Sequence, residues 1–398
     1  MIALAHLLLA VLATPAVAAC LYLFCLTWLS RAPAPIPPTA ARLPRPLRFD
    51  VVIPAHDEVA VIAAAVGSLR ALDWPAESFR LLVIADNCTD ATAAVAGAAG
   101  AQVLVRQDTA RRGKGHALEF AFQTCLAQAW ADAVVVIDAD SQASPNLLAA
   151  FAARIERGAQ SVQAHHGVLN PLASWRTRLM AIALGAFHRL RSRARERLRL
   201  SCGIRGNGWC VTRELLERVP YRAFSLAEDI EFGIDLGLAG VRVHYADEAQ
   251  VDALMVTREA AARTQRRRWE DGRLELARSR AWRLLRGARG PGGRMRLDLA
   301  LDLLVPPLSH IATHVAVLLA LAGLGLLWSP SMVVWIWVGA ACGLSLVLYV
   351  LRGWQLSGVG LRGLLDLLGA PAFVLWKLAL MLRTHDSAKW IRTKREAP

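Results

Sequence analysis

Two aspartates one residue apart, Asp138 and Asp140, close the apolar run Ala133-Val134-Val135-Val136-Ile137. Carboxylates this close repel and are costly to desolvate, so a strand end has little structural use for the pair. A divalent cation bridging to a phosphate uses both. Two earlier apolar runs also end in acids. Phe49-Asp50-Val51-Val52-Ile53 leads through Pro54 to Asp57-Glu58, and Leu81-Leu82-Val83-Ile84-Ala85 ends in Asp86. Lys114, between Gly113 and Gly115, can bring backbone N–H groups and an ammonium to a pyrophosphate. The spacing differs from GxxxxGK[ST], which argues against a P-loop ATPase. Taken singly, a plain basic turn explains the Lys114 segment as well, whereas a solvated acidic strand end is the weaker account of Asp138 and Asp140.

Further along, Ala227-Glu228-Asp229-Ile230-Glu231 opens a helix. Acids there complement the helix macrodipole, and Asp229 is also a candidate base for deprotonating a hydroxyl. Gln265, Arg268 and Trp269 begin a basic stretch in which a planar cation and an aromatic suit a diphosphate and a sugar face. His165-His166 reads as a polar contact at a strand end rather than a metal pair. Gly203 to Gly208 is a turn where backbone can approach a ligand closely, or an ordinary loop.

The elements that must position these residues follow from the patterning. The Ala133–Ile137 run, four of whose five residues are β-branched, reads as a strand buried on both faces. Strands and helices alternate at intervals of about 30 residues, the pattern of an α/β, doubly wound, mostly parallel sheet. Parallel strands bring their carboxyl ends to one edge, so Asp57-Glu58, Asp86 and Asp138/Asp140 face one crevice. Shorter strands are expected at Val103–Val105, Ser161–His166 and Val241–Tyr245, with helices after Gly115, after Pro145 and from Glu228 to about Gly240. A long helix over Leu172–Leu200 carries arginines at 189, 191, 193, 195, 197 and 199, expected on a membrane-facing or solvated surface.

A mean hydropathy of +0.36 and 55% hydrophobic residues exceed what a purely soluble protein of 398 residues carries, yet 20% are charged. Residues 1–30 and Leu303–Leu351 contain no Asp, Glu, Lys or Arg. A span needs about 20 apolar residues, so the first supplies an uncleaved N-terminal anchor. The second supplies two transmembrane helices, 303–328 and 331–351, with Pro306-Pro307 kinking the first. Val17-Ala18-Ala19-Cys20 looks faintly like a lipoprotein processing site but lacks a basic flank and is followed by apolar residues to Leu29. Arg31 to Pro46 holds six prolines and reads as a stiff linker over 31–47. The α/β domain spans 48–262 and a basic interfacial helix region 263–300. Within 301–398 the two spans are followed by an interfacial or re-entrant helix (363–383) and a basic tail. The net charge of +14 places the basic segments on the cytoplasmic side of an inner membrane by the positive-inside rule. Aromatics do not interleave with the basic runs as stacking platforms would, which argues against nucleic acid. Seven cysteines without CxxC fit a reducing compartment.

In order along the chain, the motifs are Val-Ile-Pro-Ala-His-Asp-Glu (52–58), Ala-Asp-Asn-Cys-Thr-Asp (85–90), Arg-Gly-Lys-Gly (112–115) and Asp-Ala-Asp (138–140). Glu-Asp (228–229) and Gln-x-x-Arg-Trp (265–269) complete the set. It resembles the membrane-integrated inverting family-2 glycosyltransferases, the group with cellulose, chitin and hyaluronan synthases and ceramide glucosyltransferase. The resemblance implies a GT-A domain and a nucleotide-sugar donor, most often a UDP-sugar. It implies that Pro54, Asp57, Glu58 and Asp86 hold the nucleoside and Lys114 the phosphates. Asp138 and Asp140 match the pair that binds Mg²⁺ or Mn²⁺, with Asp138 and Glu228 also lining the donor site. Asp229 matches the base that activates an acceptor hydroxyl for attack on C1, and Gln265, Arg268 and Trp269 match the motif over the pyrophosphate and acceptor end. The chain departs from the pattern at Asp57, where the family often has Asn, and at Ala227, where polymer synthases commonly have Thr.

The expected function is transfer of a sugar from the nucleotide donor to a lipid or growing glycan. Within the class the alternative is a non-processive glycolipid synthase. Outside it stands an inactive membrane scaffold or nucleotide-sugar sensor. The sequence identifies no partner subunit.

Overall fold

The computed structural model describes residues 2–33, 36, 45–255 and 259–369, with side chains in the last range from 268 onward. Most of the Pro-rich linker, the tail and the greater part of the expected helix 363–383 lie outside the described residues, as does the side chain of Gln265.

Helix α1 (Ile2–Leu29) runs unbroken through the uncharged N-terminal stretch. Then come β1 (Phe49–Ala55), α2 (Ile62–Arg70), β2 (Phe79–Asp86), α3 (Thr92–Ala98), β3 (Gln102–Arg106), α4 (Lys114–Gln128) and β4 (Ala133–Val136). β1 pairs in parallel with β2 and β4, and β2 pairs in parallel with β3. The strands are apolar on both faces because helices cover both. α2 places Ile62, Val66 and Leu69 against Val51, Ile53 and Val83. α4 places Ala117, Leu118, Ala121 and Phe122 against Val52, Leu82, Val134 and Val136 on the other side. Each fully buried Val or Ile contributes about 1.5–3 kcal/mol.

The second half contains β5 (Ser141–Ala143), α5 (Leu147–Ile155), β6 (Ser161–Val168), α6 (Trp175–Leu184), α7 (Arg191–Arg197), β7 (Trp209–Thr212), α8 (Arg213–Arg218), α9 (Glu228–Leu238) and β8 (Val243–Ala253). The eight strands lie in the order β3-β2-β1-β4-β7-β6-β8-β5. β7 runs antiparallel to both β4 and β6, and β5 antiparallel to β8, so the sheet is mixed beyond its parallel half. β6 pairs in parallel with β8, with a register shift between Ala164 and His165. The strand expected over Val241–Tyr245 continues to Ala253.

Two expectations fail here. The long helix over Leu172–Leu200 is divided: α6 passes through a π-helical stretch, Gly185–Leu190, into α7. Its arginines do not form a solvated face either. Arg191, Arg193 and Arg195 are buried, ion-paired to Asp302, Asp247 and Asp298. Only Arg197 and Arg199 are exposed. The acids that neutralise the run lie 54 to 111 residues away in sequence, so nothing local signalled burial.

The chain continues through α10 (Glu259–Gly287), α11 (Gly293–Leu304), α12 (Leu308–Gly325), α13 (Val333–Ser357) and α14 (Gly360–Leu367). Pro306-Pro307 ends a helix rather than kinking one, because Val305 before the prolines is extended and α12 starts only at Leu308. Among the described residues, three helices are long and apolar enough to cross a membrane: Ile2–Leu29, Leu308–Gly325 and Pro330–Ser357. They pack together through Leu23, Leu26, Ile311, Val315, Leu346 and Tyr349, and the same cluster takes in Ala186, Leu190 and Ala194 from the π-helical stretch and α7. The apolar helices are thereby joined to the sheet domain.

Candidate active site

The crevice begins at the carboxyl ends of β1, β2 and β4, which are adjacent and parallel. Asp57 and Asn87, in the turns after β1 and β2, have φ of +53° and +50°. This left-handed backbone is sparsely populated, and short polar side chains tolerate it best. Asp57 Oδ1 accepts the Thr89 N–H at 2.6 Å and the Asp90 N–H at 3.3 Å, locking the two turns together. Burial pushes the Asp57 carboxyl up, but the Thr89 and Asp90 hydrogen bonds and nearby His56 outweigh it and hold the group below the usual carboxylate range. Asp86 is buried and paired to Arg106 at 2.6 Å. Glu58 donates its backbone N–H to Thr92 Oγ1 at 2.8 Å, and Pro54 sits half-buried within β1.

Lys114 is the first residue of α4, after Gly113 at φ +117°. Gly115 serves close packing, since a Cβ there would collide with the Ala223 carbonyl. The Lys114 ammonium lies 2.6 Å from Asp138 Oδ1, 3.4 Å from Glu228 Oε1 and 3.2 Å from the Gly206 carbonyl. It thus draws together residues contributed by four separate segments of the chain. Burial presses the Lys114 amine down, and the carboxylates of Asp138, Glu228 and Asp229 more than reverse this, raising it above its ordinary value. Burial pushes Glu228 up to about 7, with Lys114 opposing and Asp229 adding to the rise. Asp229 is raised for the same leading reason.

The wall facing Asp229 is the turn Gly206-Asn207-Gly208. Gly206 has φ +90°, and a Cβ there would stand 3.2 Å from Asp229 Oδ2 and 3.7 Å from His166 Nδ1, so glycine leaves the carboxylate room. His166 Nδ1 lies 3.0 Å from the Arg205 carbonyl, the polar contact expected for this histidine pair. Asn207, fully buried, was not singled out from sequence, although an asparagine between two glycines is a signal for a structured turn. Its Oδ1 accepts the Asp138 N–H at 2.9 Å, and its Nδ2 donates to Ser141 Oγ at 2.6 Å. Ser141 Oγ in turn lies 3.1 Å from Asp140 Oδ1. Gln163 accepts the Arg205 N–H at 2.8 Å and donates to the Asn207 carbonyl at 2.7 Å, fixing the turn from beneath.

Asp138 and Asp140 offer hard carboxylate oxygens of the kind Mg²⁺ and Mn²⁺ take, and Asp138 already holds a cationic group in the Lys114 ammonium. Among the described residues, the grouping of three potential ligand atoms within 4.8 Å of one another is instead Asp57, Cys88 and Asp90. Asp57 is there engaged by backbone N–H donors.

Glu231 fixes the lip of the crevice, accepting the Phe224 and Ser225 N–H groups at 3.1 and 3.0 Å. Arg280 of α10 holds Glu231 at 2.7 Å. α10 itself lies close to the start of α9, a Cβ on Gly272 falling 3.0 Å from the Ala227 Cβ. Of the three residues expected on this helix, Trp269 is 36% exposed and Arg268 is half-buried. The described contacts join neither to Lys114 or Asp229. The basic stretch is not wholly interfacial: Leu276, Ala281 and Leu284 are buried against Ile234, Leu299 and Leu303.

A family model described as "Glycosyltransferase like family 2" matches residues 44–272, more than half of the chain. A beta-monoglucosyldiacylglycerol synthase from Synechocystis is 29% identical over 256 residues, 61% of this chain and 50% of that protein. A probable glycosyltransferase, YdaM, from Bacillus subtilis is 24% identical over 209 residues, 50% of this chain and 48% of that protein. The chain thus spans about half the length of the curated relatives it matches. Among solved structures, the mannosyltransferase PcManGT from Pyrobaculum calidifontis, in complex with GDP-Man and Mn²⁺, superposes with a TM-score of 0.50 at 19% identity, covering 85% of this chain and 97% of that one. At that identity the likeness concerns the fold, a GT-A-type sheet with flanking helices.

Proposed function

This chain belongs to the glycosyltransferase-like family 2, and we propose that it transfers a sugar, with inversion, from a nucleotide-sugar donor to a hydroxyl of a lipid or glycan acceptor. The observation that carries the reading is the Lys114 cluster, in which one ammonium sits among Asp138, Glu228 and Asp229 at the carboxyl edge of the sheet. Among the described residues these half-buried carboxylates outnumber their counter-ion, an arrangement costly to maintain. They suit a site that takes up a proton and, together with Lys114 and a divalent cation, a diphosphate.

In the proposed reaction Asp229 accepts the proton of the acceptor hydroxyl. The acceptor oxygen forms a bond to C1 of the sugar as the bond from C1 to the diphosphate oxygen breaks, and the electron pair leaves with the nucleoside diphosphate. Lys114 offsets the charge on that leaving group. Burial raises Asp229, which makes its carboxylate a stronger base than a solvated one. By the resemblance, Pro54, Asp57, Glu58 and Asp86 would hold the nucleoside, and Gln265, Arg268 and Trp269 would serve the pyrophosphate and the acceptor. Asp138 and Asp140 would hold Mg²⁺ or Mn²⁺, which supplies charge neutralisation to the diphosphate when bound. A UDP-sugar is the donor expected from the motif set.

A lipid acceptor is favoured over a long glycan by the three helices apolar enough to span a membrane and by the relative named for a glucosyldiacylglycerol. On this reading the protein is a multi-pass inner-membrane enzyme with its sheet domain in the cytoplasm. The test is nucleotide release by the purified full-length protein in nanodiscs, with a panel of UDP- and GDP-sugars, membrane lipids as acceptors, and EDTA as the control. EDTA-sensitive release with one donor and a glycolipid product is expected. Failure to bind any donor would remove the transferase reading and favour a scaffold.

A further inference from the structure

Where the sheet domain meets the apolar helices, a second cluster of buried charge has the opposite sign. Four guanidiniums, from Arg191, Arg195, Arg205 and Arg273, act on the one carboxylate of Asp302. Arg191, Arg195 and Arg205 lie 2.9, 2.8 and 3.1 Å from it. Asp298 adds a second acid, 2.7 Å from Arg195. Arg273 donates to the Asp302 and Val305 carbonyls. Two carboxylates therefore face four guanidiniums among the described residues. Phe187 takes up part of the excess, lying 4.7, 4.9 and 5.3 Å beneath Arg191, Arg205 and Arg273.

Hydrogen bonding is incomplete as well. Arg195 Nη1 and Arg205 Nη2 are buried nitrogens without a hydrogen-bond partner, although Arg205 Nη2 is at ion-pair distance from Asp302. Arg205, only 6% exposed, lines a small cleft together with Arg273, Asp302, Phe187, Ile230 and Gly233. A buried donor left unmade is costly, and surplus buried cations more so. Burial, together with repulsion from Arg191, Arg205 and Arg195 and against the pull of Asp302, lowers the Arg273 guanidinium to about 10.

We propose that this cleft, bounded by Arg205, Arg273 and α9, is a binding site for a phosphate-class anion. Guanidinium forks match tetrahedral oxyanions in geometry and charge. The ion cluster around the cleft reaches the apolar helices, Arg191 bonding Tyr349 and Arg195 bonding Tyr22, so the anion comes either from a membrane lipid headgroup or from soluble phosphate. Ile230 and Gly233 belong to α9, whose second residue is Asp229, and Arg205 precedes Gly206 in the chain, so the bound anion sits immediately behind the crevice wall. The site is distinct from the donor crevice and does not depend on the transfer reaction.

The test uses the full-length protein in phosphatidylcholine nanodiscs. One arm measures the shift in thermal unfolding with inorganic phosphate. The other measures retention of short-chain phosphatidic acid by native mass spectrometry in competition with phosphatidylcholine. A preference for the anion on the order of tenfold is expected, with Arg273→Gln removing most of it and Arg273→Lys keeping part. A response to phosphatidic acid alone assigns the headgroup as the source, and an equal response to inorganic phosphate assigns the soluble anion. Equal retention of phosphatidic acid and phosphatidylcholine with no phosphate shift would overturn the site, as would full preference in Arg273→Gln. Nucleotide-sugar binding, measured in the same samples, reports folding of each variant. Because the wild-type competition alone can refute the proposal, a variant that fails to fold does not shield it.

Discussion

The crevice and the junction are built from the same interaction with the signs exchanged. In the crevice one ammonium, Lys114, faces Asp138, Glu228 and Asp229; at the junction four guanidiniums face Asp298 and Asp302. Some other buried charges meet a single partner. Arg80 meets Asp50 through two hydrogen bonds, and Arg154 meets Glu248 in the same way. A matched pair needs nothing further, and a hydrophobic pair would serve the fold as well. An unmatched cluster is a standing cost that folding alone does not repay. The comparison therefore separates ionic groups that hold the molecule together from unmatched ones, and on the proposed readings a divalent cation accompanying the diphosphate answers the surplus in the crevice and an anion answers the surplus at the junction.

The largest expected effect is in the crevice. Asp229→Asn keeps the shape of the side chain but removes the proton acceptor, so turnover should fall by up to about 10⁴-fold while the affinity for donor, read by nucleotide titration, stays near that of the wild type. Undiminished turnover with intact donor binding would remove Asp229 as the base. At the junction the matching experiment is Asp302→Asn. It leaves the four guanidiniums with Asp298 alone and should destabilise the folded protein by about 3–5 kcal/mol, seen as loss of the thermal transition in detergent. If the two variants exchanged phenotypes, the contrast between a reactive cluster and a binding and structural one would be wrong.

Much of the crevice was legible because its signals are local. The β-branched runs Val51–Ile53, Leu81–Ala85 and Val134–Ile137 specify strands, and each carries its acid a few residues past its end, so parallel pairing alone brings Asp57, Asp86 and Asp138 to one edge. Lys114 stood out in the sequence as a candidate phosphate-binding residue, but its pairing with Asp138 did not, because that depends on how α4 seats against the sheet. Asn207 and Gln163 escaped notice because their role is to hydrogen-bond a backbone turn from another strand. The junction was misread outright. An arginine at every second position of a helix points in all directions, and only the distant acids Asp247, Asp298 and Asp302 decide which of them are buried. The prolines at 306 and 307 announced a break, but whether it kinked one helix or separated two rested on the extended backbone of Val305.

Smaller effects test the comparison through pH. Burial raises Glu228 to about 7, above its ordinary value of 4.5. Between those values the folded state binds more protons than the unfolded one, so this group's contribution to stability is full below the lower value and is lost as pH rises toward the upper. Glu228→Gln cannot ionise, so its stability relative to wild type should improve across that window, by up to about 1.4 kcal/mol per pH unit. A difference between the two proteins that stays flat from pH 5 to 8 would remove Glu228 from the unmatched cluster.

Asp132 lies in neither cluster and has the opposite sign. Burial pushes its carboxyl up, but Arg45 and the Arg48 N–H outweigh this and hold it below its ordinary value. Arg45 donates to it at 2.7 and 2.9 Å from a side chain 47% exposed to solvent. Its contribution should be present above the ordinary carboxylate range and lost as pH falls through the lowered value. Solvent screening keeps it small, so Asp132→Asn should cost about 0.5–1 kcal/mol at neutral pH and progressively less in acid. Thermal unfolding of Asp132→Asn beside Glu228→Gln over one pH series reads both signs at once. Parallel slopes would mean that the protein's overall charge, rather than local charge balance, governs its pH response.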